Sequence, residues 1–165
     1  LPAALFAALN AARHSVRILT PYFLPGPVLC GALNLCALRG VEVTIITPAK
    51  NNIPLVAWAA QTLYPELLAR GCRIFEPPPP FDHSKIFLVD DVWSFVGSTN
   101  WDPRSLRLNF EFSIACHDAE LGRRLAHEIR IKREQCVEVT QAMLDALPLA
   151  ARLRNGVARL FIPVL

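Results

Sequence analysis

Two short runs rich in β-branched residues, Val16-Arg17-Ile18-Leu19-Thr20 and Val41-Glu42-Val43-Thr44-Ile45-Ile46, flank an apolar stretch at residues 28–38. The runs read as strands, and the stretch between them, closed by Arg39-Gly40, reads as a helix. A strand, a helix and a second strand form one unit, and this alternation commits the chain to an α/β layered fold.

The alternation continues on both sides. Residues 5–13 have amphipathic helical spacing, and Pro21 stops the first strand. Residues 53–70 read as a helix interrupted at Pro65 and closed by Gly71, residues 73–76 as a short strand, and Pro77 to Pro80 as a stiff surface connection. Residues 84–89 and 93–96 read as a hairpin turned at Asp90-Asp91, and residues 111–116 as another strand. Asp118 then caps a helix that carries Leu121, Leu125 and Ile129 on one face.

With 165 residues, 53% of them hydrophobic, the chain suits one domain with a sizeable core. It opens on Leu1 inside a helix-like run, so it is expected to be a piece of a longer protein. The net charge of +3 favours anionic partners, without the dense basic stripe of a dedicated nucleic-acid binder. Cys30, Cys36, Cys72, Cys116 and Cys136 form no Cys-x-x-Cys pair and no zinc-like spacing with a histidine, and they read as buried thiols in a reducing compartment. No apolar run approaches the roughly 18 residues a membrane span needs, so any membrane association of this piece would be peripheral. Residues 147–165 mix Arg152, Arg154 and Arg159 with leucines, and they read either as a last helix packed on the domain or as a basic amphipathic segment resting on an anionic membrane.

Chemistry concentrates further along, in His83-Ser84-Lys85-Ile86-Phe87-Leu88-Val89-Asp90. Drawn at random from this composition, His-x-Lys-x4-Asp would arise in roughly 0.3% of chains, so the spacing is no accident. A nucleophile and a cation inside an apolar run suggest reaction at a phosphodiester. If His83 and Lys85 lie on one strand, two residues apart, their side chains leave the same face. Downstream, Gly97-Ser98-Thr99-Asn100 offers neutral donors suited to phosphate oxygens, and Glu111 puts a carboxylate on an otherwise apolar strand, where a histidine would serve as its partner. Asp90, about 16 Å of extended chain from Lys85, is assigned to holding the turn through its own backbone. Tyr22 ends a strand at a proline-rich loop and Trp101 follows Asn100, so both are candidate substrate-lining residues; Arg104 could contact substrate or pair with Asp102. His14, His117 and His127 read as surface residues.

The set His83-x-Lys85-x4-Asp90, Gly97-Ser98-x-Asn100, Asn100-x-Asp102-x-Arg104-Ser105 and Asn109-x-Glu111 resembles the phospholipase D superfamily. Thr20-Pro21-Tyr22-Phe23-Leu24-Pro25, Arg39-Gly40-Val41-Glu42-Val43 and Leu67-Leu68-Ala69-Arg70-Gly71 bring it closer to bacterial cardiolipin synthases, over residues 3–130. The resemblance implies a mixed β-sheet flanked by helices, with a phospholipase D-like domain over residues 1–146 and the basic segment at 147–165. Members of this family usually carry two such motifs at one active site; a chain with one resembles the C-terminal half, completed by an N-terminal half or by a second copy in a homodimer. By the same resemblance, His83 would be the nucleophile or the general acid/base, Glu111 would accept a hydrogen bond from its far ring nitrogen, Lys85 would neutralise charge on phosphate, and Ser98 and Asn100 would bind its oxygens.

The implied function is phosphatidyl transfer from phosphatidylglycerol through a phosphohistidine, at the cytoplasmic side of the inner membrane, held there peripherally or by upstream segments. No cofactor or metal is expected, since the sequence shows no carboxylate cluster to hold one. The alternatives are a phospholipase D-type phosphodiesterase, a one-motif homodimeric nuclease, or a non-catalytic membrane-binding or dimerisation half; nucleic acid is not the expected partner.

Overall fold

The two β-branched runs lie side by side in a computed structural model of the protein, which describes residues 2–162. Helix α1 (Pro2–Ala11) precedes β1 (Ser15–Leu19), α2 (Pro27–Leu38) crosses over, and β2 (Glu42–Ile46) pairs with β1 in parallel, Val16 opposite Val43. Helices α3 (Pro54–Gln61) and α4 (Tyr64–Ala69) lead to β3 (Arg73–Glu76), parallel to β2. The expected single helix is therefore two: the break falls at residues 62–63, and Pro65 sits in the first turn of α4, where its missing N–H costs nothing. Strands β4 (Ile86–Val89) and β5 (Trp93–Gly97) form the expected hairpin, α5 (Pro103–Arg107) follows, and β6 (Ser113–His117) pairs antiparallel with β5. The chain closes with α6 (Ala119–Glu134), β7 (Val137–Glu138), α7 (Gln141–Asp145) and α8 (Leu149–Arg159). The seven strands run in the order β6-β5-β4-β1-β2-β3-β7, a mixed sheet with helices on its faces.

Local sequence explains the joints. Helices α2 and α4 end identically: Gly40 N–H reaches Ala37 O and Val41 N–H reaches Cys36 O, and Gly71 and Cys72 repeat this on Leu68 and Leu67. Both glycines have positive φ, 86° and 96°, which completes a Schellman motif and turns the chain directly into the next parallel strand. Three residues, Asp90, Asp91 and Val92, join the strands, and Asp90 and Asp91, at the centre of the turn that Val92 N–H closes on Val89 O at 3.1 Å, both have φ near 55°. Asp118 caps α6 by accepting from Glu120 N and Leu121 N.

One face of the sheet carries the main core, in which Leu5, Leu9, Phe23, Leu33, Ile45 and Phe87 are fully buried. On the other, Ile129 of α6 packs against Leu19, Ile46, Phe75 and Leu88. Cys30, Cys36 and Cys72 are buried and Cys116 and Cys136 half-buried, all as free thiols. Burial pushes the Cys30 thiol up to about 11 and Cys72 up to about 12.

Helix α8 docks on α3 through Ala158 and Asn155, whose amide donates to Gln61 Oε1 at 2.8 Å, while Arg154 lies 4.3 Å above the Trp58 ring. It nevertheless leaves Leu149, Leu153 and Val157 outside, at 70%, 63% and 57% exposure. Packing on the domain uses only one side of this helix. Residues 163–165 of the expected C-terminal segment lie outside the described residues.

The contact between α6 and the hairpin turn has little slack. A Cβ at Gly122 would fall 2.0 Å from Asp91 O and 2.4 Å from Asp91 C, whereas one at Gly156 of α8 would meet nothing within 4 Å. Gly122→Ala is expected to cost about 2–4 kcal/mol in urea denaturation and Gly156→Ala to gain up to about 1 kcal/mol. Equal stability of Gly122→Ala and the parent would refute this docking.

Candidate active site

Strand direction decides where the motif residues meet. β4 runs antiparallel to β1, β5 antiparallel to β4 and β6 antiparallel to β5. The starts of β4 and β6 therefore share an edge with the ends of β1, β2, β3 and β5, where α/β sheets commonly place ligands. His83 and Lys85 precede β4, Ser98 and Asn100 follow β5, Glu111 precedes β6, and Tyr22 follows β1: all gather at this edge.

His83 and Lys85 are not on the strand itself, as their spacing suggested. Asp82 Oδ1 accepts from Ser84 N at 2.8 Å and Ser84 Oγ at 2.7 Å, a local turn that competes with the sheet ladder. The other Asp82 oxygen is held by Lys132 Nζ from the last turn of α6. Burial works to raise the Asp82 carboxyl, but the bonds from Lys132 and Ser84 outweigh it and hold the group below the usual carboxylate range.

Released from the pleat, the Lys85 side chain turns back on its neighbour. Its Nζ donates to His83 O at 2.7 Å and lies 3.1 Å from His83 Nδ1. An ammonium offers only donors, so Nδ1 is the acceptor and the neutral ring carries its proton on Nε2. Lys85 is buried while His83 is exposed. Burial lowers the Lys85 pKa, opposed by the charges of Glu111, Asp82 and Asp102. The His83 ring is walled by Tyr22, edge-on at 6.0 Å, and by Phe81 at 5.8 Å, and the Tyr22 hydroxyl donates to Asn52 Oδ1.

The expected bond between Glu111 and His83 is absent. Glu111 Oε2 accepts from Ser98 Oγ and Oε1 from Asn109 Nδ2 at 3.3 Å, because Glu111 lies before β6 and beside the end of β5. Ser98 in turn accepts from Phe112 N at 3.0 Å, so its one proton is directed at a carboxylate and not at a phosphate subsite. Asn100 spends its amide on Ser105 Oγ at 3.1 Å and leaves Oδ1 buried without a partner. Of the two expected phosphate donors, Ser98 has its one proton committed, whereas the Asn100 amide has a second N–H beyond the one given to Ser105.

Two candidate lining residues also move. Trp101 is 3% exposed, stacked on Phe23 at 6.1 Å and edge-on to Phe87 at 5.3 Å, so it belongs to the core. The chain crosses there: Trp101 N–H donates to Tyr22 O at 3.2 Å and Leu24 N–H to Trp101 O. Arg104 is exposed on α5 and makes no ion pair with Asp102, whose carboxylate instead caps that helix by accepting from Ser105 N at 2.7 Å. Burial pushes the Asp102 carboxyl up.

Asp90 lies at the opposite edge, at the end of β4. It does not hold its own backbone: Oδ1 accepts from His14 N at 2.7 Å and Ser15 N at 2.9 Å, and Oδ2 from Arg13 N at 2.9 Å. Phe81, Asp82, Asn52 and Lys132 were missed from the sequence. Asp82-x-Ser84 could have been found as a turn signal, whereas Lys132 is fifty residues away on another element.

The family described as cardiolipin synthase, PLD-like domain, matches residues 5–132. The chain belongs to that family. This PLD-like domain is 35% identical over 155 residues to cardiolipin synthase 1 of Staphylococcus epidermidis, covering 94% of the chain and 32% of that protein. It is 41% identical over 140 residues to cardiolipin synthase A of Pectobacterium carotovorum, covering 84% and 29%. The PLD-like domain thus spans about a third of the length of these relatives. Its fold matches the phospholipase D family member Nuc from Salmonella typhimurium, with TM-score 0.74, 21% identity, and 85% and 91% of the two chains covered. It also matches the phosphatidylserine synthase of Haemophilus influenzae, with TM-score 0.76, 15% identity, and 98% and 44% covered. No described helix is long and apolar enough to cross a membrane.

Proposed function

We propose that this PLD-like domain supplies one half of the active site of a phosphatidyltransferase that makes cardiolipin from phosphatidylglycerol. The observation that carries the proposal is His83 with Lys85 on its Nδ1 at the strand-end edge, beside Glu111. Among the described residues His83 is alone there, since His14 precedes β1, His117 ends β6 and His127 lies on α6. Transfer through a phosphohistidine needs an attacking imidazole and a second group to protonate the leaving alcohol. One histidine cannot do both at once, so a second motif, from an N-terminal half or a second copy, completes the site.

The chemistry then has a defined order. Phosphate draws the Lys85 ammonium away from the ring, which lets the proton settle on Nδ1 and bares Nε2. Nε2 attacks phosphorus, the bond from phosphorus to the glycerol oxygen breaks, and the second histidine gives glycerol its proton. The hydroxyl of a second phosphatidylglycerol next attacks phosphorus, the P–N bond breaks, and that hydroxyl proton returns to the second histidine. Glu111, positioned by Ser98 and Asn109, supports the cationic states of Lys85 and His83. Ser98 binds phosphate only after its bond to Glu111 rearranges, whereas Asn100 can offer its second amide proton while keeping Ser105.

Exposed Leu108, Phe110, Phe112 and Ile114, on and before the free edge strand β6, suit this surface to the completing half. Leu149, Leu153 and Val157 of α8, interleaved with Arg152, Arg154 and Arg159, suit the segment at 147–165 to an anionic membrane surface, on the cytoplasmic side of the inner membrane. The complete protein is expected to convert phosphatidylglycerol vesicles into a diphosphatidyl product plus glycerol and to leave DNA intact. Release of phosphatidic acid without diphosphatidyl product, or cleavage of DNA, would overturn the proposal in favour of a phosphodiesterase.

A further inference from the structure

On the α6 face of the sheet, away from the catalytic edge, lies a cleft of about 370 Å³. Its floor is the sheet. Arg17 of β1 and Thr44 of β2 are cross-strand partners and so point to the same side. Its wall is α6, where Arg123, His127, Arg130 and Arg133 line the cleft at helical spacing.

The charges do not cancel. Two arginines are matched: Arg17 donates to Asp91 Oδ1, and Arg133 Nη1 lies 3.1 Å from Glu42 Oε1 and stacks over the Phe75 ring at 5.7 Å. Arg123 and Arg130 meet no carboxylate among the described residues, and Arg130 turns Nη2 to His127 Nδ1 at 2.9 Å. The same cleft is lined by a hydroxyl that has no partner. Thr44 is 1% exposed, lines the cleft, and its Oγ1 makes no hydrogen bond. A buried polar atom without a partner is uncommon, and one that lines the same cleft as two unmatched arginines is suited to donate to an anion there.

We propose that this cleft binds a phosphate ester, held by the Arg123 and Arg130 guanidinia with the Thr44 hydroxyl donating from the floor. The arginine forks recognise two oxygens of one phosphate, and the hydroxyl reaches a third. The site is separate from His83. Arg17 lies midway along β1, Glu42 opens β2, and Asp91 sits within the turn at the opposite edge. It is joined to the catalytic loop by one element, since Lys132, two residues beyond Arg130, holds Asp82.

The test uses the complete protein, with glycerol 3-phosphate as a soluble probe in calorimetric titration and phosphatidylglycerol-containing vesicles as a membrane probe in sedimentation, both at low salt. The variants are Arg123→Gln with Arg130→Gln on the exposed helix face, Thr44→Val, and His83→Ala as a control for phosphate bound at the catalytic edge. Binding of the soluble probe is expected to weaken about tenfold or more in the double arginine variant and several-fold in Thr44→Val, and to persist in His83→Ala. If only vesicle binding falls in the double variant, the bound phosphate is that of a lipid headgroup; if only soluble binding falls, it is a free phosphate ester. Binding of neither probe by the parent protein, unchanged binding of both in the double arginine variant, or loss only in His83→Ala would overturn the proposal.

Discussion

Phosphatidyl transfer by the complete protein is expected to fall by at least about 10⁴-fold when His83 is replaced by alanine, with no loss of folding stability. The side chain is exposed, so its removal leaves no cavity; its ring meets Lys85 Nζ and lies beside the rings of Tyr22 and Phe81. Covalent catalysis would lose the atom that receives phosphorus, and no other histidine shares its edge of the sheet to replace it. Trapping with labelled phosphatidylglycerol should show label on the parent protein and none on the variant. Turnover within tenfold of the parent would remove His83 from the reaction and, with it, the proposed function.

Asp90→Ala should do the reverse: a folding defect of about 2–3 kcal/mol in urea denaturation, with the transfer rate of the folded protein little changed. Three backbone N–H groups, from Arg13, His14 and Ser15, lose their acceptor at once. The defect should also depend on pH in a defined sense. Burial works to raise the Asp90 carboxyl, but the bonds from Ser15, His14 and Arg13 outweigh it and hold its folded value below the ordinary one. A depressed carboxyl stabilises fully above its unfolded value, near 3.9, and loses that contribution as pH falls through the folded value. The stability difference between parent and variant is therefore expected to be flat from about pH 5 to 7 and to shrink below about pH 4. A variant with parental stability, or one whose loss is confined to turnover, would place Asp90 in the chemistry after all.

These two outcomes would separate residues that one short signature writes together. The separation was partly legible. The distance from Lys85 to Asp90 along an extended strand already set the two apart, but the backbone that Asp90 clasps lies about seventy-five residues earlier and leaves no local trace. The strand-helix-strand unit and its Arg39-Gly40 end could be read directly, because a helix stop and a β-branched run are both local signals. Strand β7 could not: Val137 and Glu138 form two residues of strand only because β3 offers a free edge and Arg73 pairs with Glu138. The placement of His83 and Lys85 off the strand escaped for a similar reason, since Asp82 is anchored by Lys132 on a distant helix. Trp101 looked like a pocket residue from its neighbour Asn100, yet crossing of the chain at Tyr22 and Leu24 turns it inward.

Strand β4 consists of four residues, Ile86, Phe87, Leu88 and Val89, and these are the four unspecified positions between the lysine and the aspartate of the signature. The interval is thus a gauge of the sheet's width at this point. Because side chains alternate along a strand, adding or deleting one residue inside the interval would turn Phe87 and Leu88 out of the opposite cores they fill, and would pull either Lys85 from its edge or Asp90 from its clasp. A search for the signature with variable spacing would therefore be looking for sheets of a different breadth, not for looser versions of this one.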